Sequence, residues 1–490
     1  MAPTESRSLG RASLAELGRR GVAVPGYDLD HAAIGHAHIG PGVFHRGHQA
    51  VFADRALALG HPNAAICAIS MRSASLRDAL AEQDNLYTCV ERQGNTATAT
   101  VIGSIREILV AAQDPQAAVE RLADPAITVV TTTVTEAGYC FDGESRTLDR
   151  SLPSVRHDQQ NPDQPMTMPG LIASALARRR QRRVPPFAIV PCDNIVANGQ
   201  LARAVIVEMA TATDPRLGDW VADTVAFCST MVDRMVPTTT DDDRAMSTRL
   251  TGLVDAWPVV VEPFSQWVIE RQPGVDLSGW EAAGAEVVDD VERYEQLKLR
   301  VLNGAHSAIA YAGLTRGLAT VSQAFAHPQV AAFVGGLLDD EIVPTVVAPR
   351  GVDLASYIAT TIERFADPAL GYTTRKVAGD GSLKLAQRLM PVAGDRLAAG
   401  LDISGIATVF ALWMWCLVGP SATELGVADP QATRLREMVG DGFDNHEIVV
   451  DRILLDAAVF GALDPRGELV SAVRRRASAV WRDRGVSDSR

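Results

Sequence analysis

A chain of 490 residues exceeds what one compact core supports, so two or three domains are expected. With 47% apolar and 21% charged residues it has material for a large core, which argues against disorder. A formal charge of −13, from 46 basic and 59 acidic residues, disfavours nucleic acid as a partner.

Residues 1–30 read as an N-terminal extension with a short helical pattern at Ser13–Arg20, and no apolar run there resembles a secretory signal. From about residue 32, runs that are apolar on both faces alternate with helical segments. Strands are expected at Ala32–Ile39, Ala64–Ser70, Ile127–Val134, Phe187–Cys192 and Val259–Val261. Such runs imply a mainly parallel α/β sheet. The basic cluster at Arg178, Arg179, Arg180, Arg182 and Arg183 reads as the solvated end of a helix over Leu171–Ala177, where cations complement the helix dipole. Asp241, Asp242 and Asp243 read as a surface turn.

Beyond about 290 helical patterns take over, at Lys298–Leu314, Gln329–Leu338, Leu354–Arg364 and Ile406–Val418. The last is too short to span a bilayer and is expected to be a buried helix. The division is therefore an extension (1–30), an α/β domain (31–290) and a helical domain (291–490). The six cysteines are scattered, with no pair at metal-ligand spacing, and read as small buried hydrophobes in a reducing, cytoplasmic compartment.

His38-Ile39-Gly40-Pro41-Gly42-Val43-Phe44-His45 follows the first expected strand and opens a helix. In that context one glycine permits the turn and the next lets the backbone approach a pyrophosphate. His45 stands where the third glycine of the usual fingerprint belongs, so an ordinary glycine-rich turn stays open as a reading. Where the second strand ends, at Ser70-Met71-Arg72-Ser73, an acidic residue would bind the ribose hydroxyls of NAD. Arg72 suits a 2′-phosphate instead and leaves NADP open, as does its reading as a solvent-facing arginine.

The stretch Glu295 to His306 carries the densest chemistry. On a regular α-helix, with Lys298 at zero, Glu295 falls at roughly 60°, His306 at roughly 80° and Asn303 at roughly 140°. All lie on one mixed polar and apolar face with Leu299 and Leu302, which suits a cleft better than open water. Gly304 and Ala305 would let a ligand approach Asn303. An amphipathic helix with internally satisfied polar groups fits the same spacing.

The segments HIGPGVFHRGHQ (38–49), EQDNLY (82–87), TEAGY (135–139), CDNIVANG (192–199), TMVDRMVP (230–237), EPFSQWVI (262–269) and KLRVLNGAHS (298–307) together resemble the mannitol dehydrogenase family of polyol-specific long-chain dehydrogenases. The likeness recurs in order from about 34 to 391. It implies an N-terminal Rossmann-type NAD(P)-binding domain, a largely helical C-terminal domain, an active site between them and no metal. It further implies Lys298 as general base, Asn194 and Asn303 beside it, His306 as a substrate-binding group and Glu295 as a proton relay. Gly40, Gly42, Phe44, Arg46 and Arg72 are the expected cofactor-binding residues, and Asp233 and Arg234 line the substrate cleft.

The chemistry agrees with these expectations. Oxidising a secondary alcohol removes a hydroxyl proton while hydride leaves carbon, and a lysine serves near neutral pH only if burial or nearby charge lowers its pKa. Two asparagine amides would steady the alkoxide-like oxygen. Lys376, Lys384 and Arg388 form a second cationic group, which either meets a substrate carboxylate or lies on the surface. Pro41 and Ala386 depart from the family pattern, which usually has a small or aliphatic residue and a proline there. The default substrate pair is D-mannitol and D-fructose, with D-mannonate and D-fructuronate the alternative and arabinitol a more distant one. The expected cofactor is NAD, with NADP open. No nucleic acid or membrane partner is expected, and the assembly is read as a monomer or homodimer. A zinc alcohol dehydrogenase would need Cys and His ligands at an open tetrahedral site, which these isolated cysteines do not offer. A sensor without catalysis would have no use for Lys298, Asn194, Asn303 and His306 together.

Overall fold

The computed structural model describes residues 7–143, 145–369, 371–456, 460 and 467–483. The first six residues of the expected extension lie outside that set. The chain divides into two compact units, residues 1–292 and 293–490.

The first unit is built on a five-stranded sheet of β1 (Ile34–Ile39), β2 (Ala65–Ser70), β5 (Ile105–Val110), β6 (Val129–Thr132) and β7 (Ala188–Pro191). Its order is β5-β2-β1-β6-β7, every pairing parallel. That is the doubly wound order in which strand sequence reverses beside the first strand, and ligands bind outside the carboxyl ends at this point. Ala37, Ile39, Cys67, Ile69, Val130 and Ile189 enter one buried cluster, while Ile66, Ala68, Val129 and Val190 enter clusters on the other face. Burial on both faces is why these strands read as unbroken apolar runs.

Two smaller sheets complete the unit. In one, β4 (Thr96–Ile102), β3 (Tyr87–Gln93) and β9 (Val259–Val261) are neighbours in that order; in the other, β11 (Glu286–Val288), β10 (Gln266–Glu270) and β8 (Thr230–Asp233). Only β9 of these six was expected. The antiparallel β3–β4 hairpin turns at Gly94-Asn95, a two-residue hairpin signal in the sequence. The N-terminal helix Leu14–Arg19 is held by a small core of Leu9, Leu17, Leu86, Val101 and Leu253. Asp241–Asp243 form the first turn of a helix rather than a surface turn, because Thr240 and Asp243 make a reciprocal capping box. The helix Met168–Arg182 does end in the basic cluster. Arg179, however, is buried against Phe187 and donates to the carbonyls of Leu122, Ile127 and Pro185, so it ties the fold rather than facing water.

The second unit is helical. Helix Ser404–Val418 is buried nearly all round, as expected, with the amphipathic helix Glu468–Arg482 packed against it. Among the described residues no helix is long and apolar enough to cross a membrane.

Candidate active site

At the carboxyl end of β1 the chain turns through Gly40 at φ +91°. A Cβ there would sit 2.3 Å from the Thr133 carbonyl oxygen, so the position admits only glycine. The Gly42 amide donates to the Gly40 carbonyl at 2.7 Å, closing a tight turn about Pro41, and the Val43–Gly47 helix follows. Proline fits because its missing donor is not needed. Gly42 itself is exposed, and a Cβ there would meet nothing nearer than 3.9 Å. The close helix-to-strand packing usually served by a third glycine falls to Gly47, where a Cβ would come within 3.0 Å of Val261 and Val236 methyls.

The loop is clamped from beneath. His38 Nδ1 lies 2.7 Å from the Thr131 hydroxyl and Nε2 2.8 Å from the Thr133 hydroxyl, which donates to the Gly40 carbonyl at 2.7 Å. The buried His45 ring stacks on His38, centroids 3.4 Å apart and planes 14° from parallel. Burial drives His38 down to about 3 and His45 well below the ordinary histidine range, so both rings are neutral at neutral pH and can stack without repulsion. Phe44 stacks on His48.

Arg46 corrects an expectation. It is 1% exposed, donates to the Trp257 carbonyl and lies over the Tyr87 and Trp257 rings, so it braces the core behind the loop rather than facing a cofactor. Arg72 is exposed just after β2. Across the sheet, the turn after β7 carries Asn194, also exposed. Asp193 beside it is buried and accepts from the Thr132 hydroxyl, the Val134 amide and the Tyr139 hydroxyl, joining the ends of β6 and β7. Burial raises its carboxyl to about 7 against those three bonds. Asn198 pins the same turn through the Asp193 and Thr230 carbonyls. Sequence reasoning quoted this segment yet missed both roles, since a hydrogen-bonded carboxylate has no spacing signature.

Asp233 ends β8 and is buried. The Arg234 guanidinium is spent on the Gly47 and Glu262 carbonyls and the Glu91 carboxylate, which makes it a brace rather than a substrate ligand. An open cleft of about 640 Å³, lined by His36, Asn63, Thr128 and Ala188 among others, lies at the amino ends of the strands, away from the glycine loop.

In the second unit the Glu292–Leu297 helix runs straight into a π-helical turn, Lys298–Asn303, then resumes as Gly304–Leu314. The Gly304 amide reaches back five residues to the Leu299 carbonyl. The regular wheel therefore fails here, because a π turn adds a residue to each ring. Such turns cluster at functional sites, and this one carries Lys298 and Asn303, 8% and 7% exposed, with Glu295 buried just before it. The Asn303 side-chain nitrogen is buried with no hydrogen-bond partner among the described residues, an unspent donor. Gly304 and Ala305 do not open space for a ligand as expected. Gly304 makes room for Leu389 and Ile342, and Ala305 is wholly buried.

His306 is half-buried, its ring 5.5 Å from that of Phe365 and 6.3 Å from that of Tyr372. Arg388 donates to the Asn303 carbonyl at 3.2 Å and to the Ser307 hydroxyl at 2.9 Å. Burial lowers its guanidinium to about 10. One turn earlier on the same helix, Lys384 donates to the Gly379 carbonyl at 2.7 Å. Burial first, then the Arg388 charge, pulls its amine below the usual lysine range. Lys376 is exposed and bonds to neither, so the expected group of three cations is a pair. Among the described residues no three His, Cys, Asp or Glu side chains converge as a metal site would require.

Comparison with known proteins matches residues 35–279 to the mannitol dehydrogenase Rossmann domain and 290–481 to the mannitol dehydrogenase C-terminal domain. An uncharacterized oxidoreductase of Escherichia coli (strain K12), YeiQ, is 36% identical over 446 residues, 90% of each chain. Mannitol 2-dehydrogenase of Pyricularia oryzae is 34% identical over 89% of this chain and 90% of its own. The Pseudomonas fluorescens mannitol 2-dehydrogenase ternary complex with NAD and D-mannitol superposes with a TM-score of 0.87 at 34% identity, covering 98% of both chains.

Proposed function

The chain belongs to the mannitol dehydrogenase family, and on that premise we propose that it interconverts a secondary alcohol of a polyol with the corresponding ketose, D-mannitol and D-fructose being the leading pair. The observation that carries this reading is the π turn that holds Lys298 and Asn303 buried in one ring of helix, with an amide donor left unspent.

NAD fits the first unit: Gly40 cannot carry a side chain, Gly42 lies open above the turn, and both sit where the sheet order reverses. When bound, it supplies the hydride acceptor. Lys298 takes the hydroxyl proton, and its burial keeps bulk water from competing for that proton. Asn303 donates its amide to the oxygen as charge builds there, and Asn194 is the second donor. Glu295, three residues from the amine, passes the proton onward. His306 bonds a neighbouring hydroxyl and orients the chain of the substrate. Zinc has no task in this scheme. The six cysteines, all buried and unpaired, fit a reducing compartment.

A second reading, reduction of fructuronate to mannonate, is favoured by one observation. Lys384 and Arg388 place two partly desolvated cations one turn apart, with Arg388 tied to Asn303 and Lys384 3.5 Å from the Asp380 carboxylate, and a substrate carboxylate would answer the charge that Asp380 leaves over. The test is to supply purified protein with NADH and either fructose or fructuronate, with a chelator present. Oxidation of NADH with fructose supports the first reading, with fructuronate alone the second. Activity with neither substrate overturns both.

A further inference from the structure

We propose that the adenosine end of the dinucleotide site accepts a 2′-phosphate, so that the protein binds NADP(H) as well as NAD(H). This rests on the dinucleotide reading given above and takes up the choice between NAD and NADP that Arg72 leaves open in the sequence.

In a doubly wound sheet, the chain leaving the second strand passes the adenosine ribose, and a carboxylate there both accepts from the 2′-hydroxyl and repels a 2′-phosphate. Here β2 ends at Ser70 and continues Met71-Arg72-Ser73-Ala74-Ser75, with no acidic residue before Asp78. The Asp78 carboxylate is itself held by the forked guanidinium of Arg77, at 2.9 and 2.7 Å, which dampens its repulsion.

Arg72 is exposed and makes no hydrogen bond or ion pair among the described residues. Its charge nevertheless reaches across the sheet's carboxyl edge. Burial pushes the Cys140 thiol, in the segment after β6, up to about 11, Asp158 adds to this, and the Arg72 charge opposes it. Beside Arg72 stands a group of three hydroxyls. Ser70 donates to the Ser73 carbonyl at 2.6 Å, and the Ser73 and Ser75 hydroxyls lie 2.7 Å apart. A guanidinium with no partner among the described residues, beside a Ser73–Ser75 pair that keeps one hydroxyl proton to donate, suits a phosphate dianion, whereas a neutral ribose hydroxyl gains only ordinary hydrogen bonds from the same groups.

The experiment is calorimetric titration of the full chain with NAD+ and NADP+, and with 2′,5′-ADP against 5′-AMP, in wild type, Arg72→Ala and Arg72→Asp. The expected result is NADP+ affinity within about tenfold of NAD+ or better, with 2′,5′-ADP tighter than 5′-AMP. Arg72→Ala should weaken NADP+ by about tenfold to a hundredfold while moving NAD+ less than about threefold. Arg72→Asp should abolish NADP+ binding and retain NAD+. Binding of NAD+ with NADP+ more than about a hundredfold weaker, or NADP+ affinity indifferent to Arg72, overturns the proposal and leaves the dinucleotide site standing. Binding of neither dinucleotide overturns both.

Discussion

The Arg388 guanidinium donates to the carbonyl oxygen of Asn303, the residue at which the π-helical turn bearing Lys298 closes. The Ser307 hydroxyl donates to the same oxygen at 3.1 Å and accepts from Arg388, so the half-buried cation is anchored at the end of the turn. Arg388 is thus a positioning residue for the catalytic turn. Arg388→Ala should destabilise the protein by about 1–3 kcal/mol and lower kcat more than it raises KM, with partial recovery in Arg388→Lys or with added guanidinium. Urea unfolding and steady-state kinetics check this. Unchanged kcat with only a stability loss would reduce Arg388 to a strut.

Gly40→Ala should fail at the loop. The added Cβ meets the Thr133 carbonyl in a backbone conformation that L residues avoid. Dinucleotide affinity is expected to drop by at least about tenfold, with a stability loss above about 2 kcal/mol. A Gly42→Ala control has space for its methyl and should keep its fold. Equal stability of the two variants in urea unfolding would contradict the account.

The stacked histidines predict acid sensitivity. His45 is held neutral in the fold but takes a proton when unfolded, near pH 6.5. The unfolded state binds more protons as pH falls below that value, so stability drops there, by up to about 1.4 kcal/mol per pH unit for one such group. His45→Phe keeps an aromatic face against His38 and removes the titration. Its stability relative to wild type, measured by urea unfolding from pH 7.5 to 4.5, should therefore rise toward the acid end. Parallel curves would mean that His45 does not titrate as described.

Lys384→Met separates the two substrate readings. If a carboxylate meets the Lys384–Arg388 pair, KM for fructuronate should rise by about tenfold or more while KM for fructose changes little. A matching change for both sugars would instead mark Lys384 as a general hydroxyl ligand.

Four of the five parallel core strands were legible because burial on both faces writes continuous apolar runs, while the edge strand β5 was missed because Arg106 and Glu107 break its run. The boundary between sheet-rich and helix-rich sequence falls between residues 285 and 295, and the contact division follows residue 292. The short strands β8, β10 and β11 escaped because three to five residues are too few to show a period. In the site, residue identity was readable but orientation was not. Arg46 and Arg234 look like ligands by charge and motif, yet tertiary packing turns both inward onto carbonyls and aromatic rings. The π turn is likewise invisible to a wheel that assumes one geometry throughout. Asp193, which fixes the turn bearing Asn194, belongs to a motif that was seen, but its role lies in contacts with Thr132 and Tyr139, far off in sequence.

The most direct measurement is single-turnover hydride transfer by Lys298→Ala, with dinucleotide and substrate both saturating. The account predicts a fold and a dinucleotide affinity like wild type, with the rate lowered by at least about two orders of magnitude, the low end for general-base catalysis, and partly restored by small primary amines. A rate equal to wild type would show that some other group takes the proton.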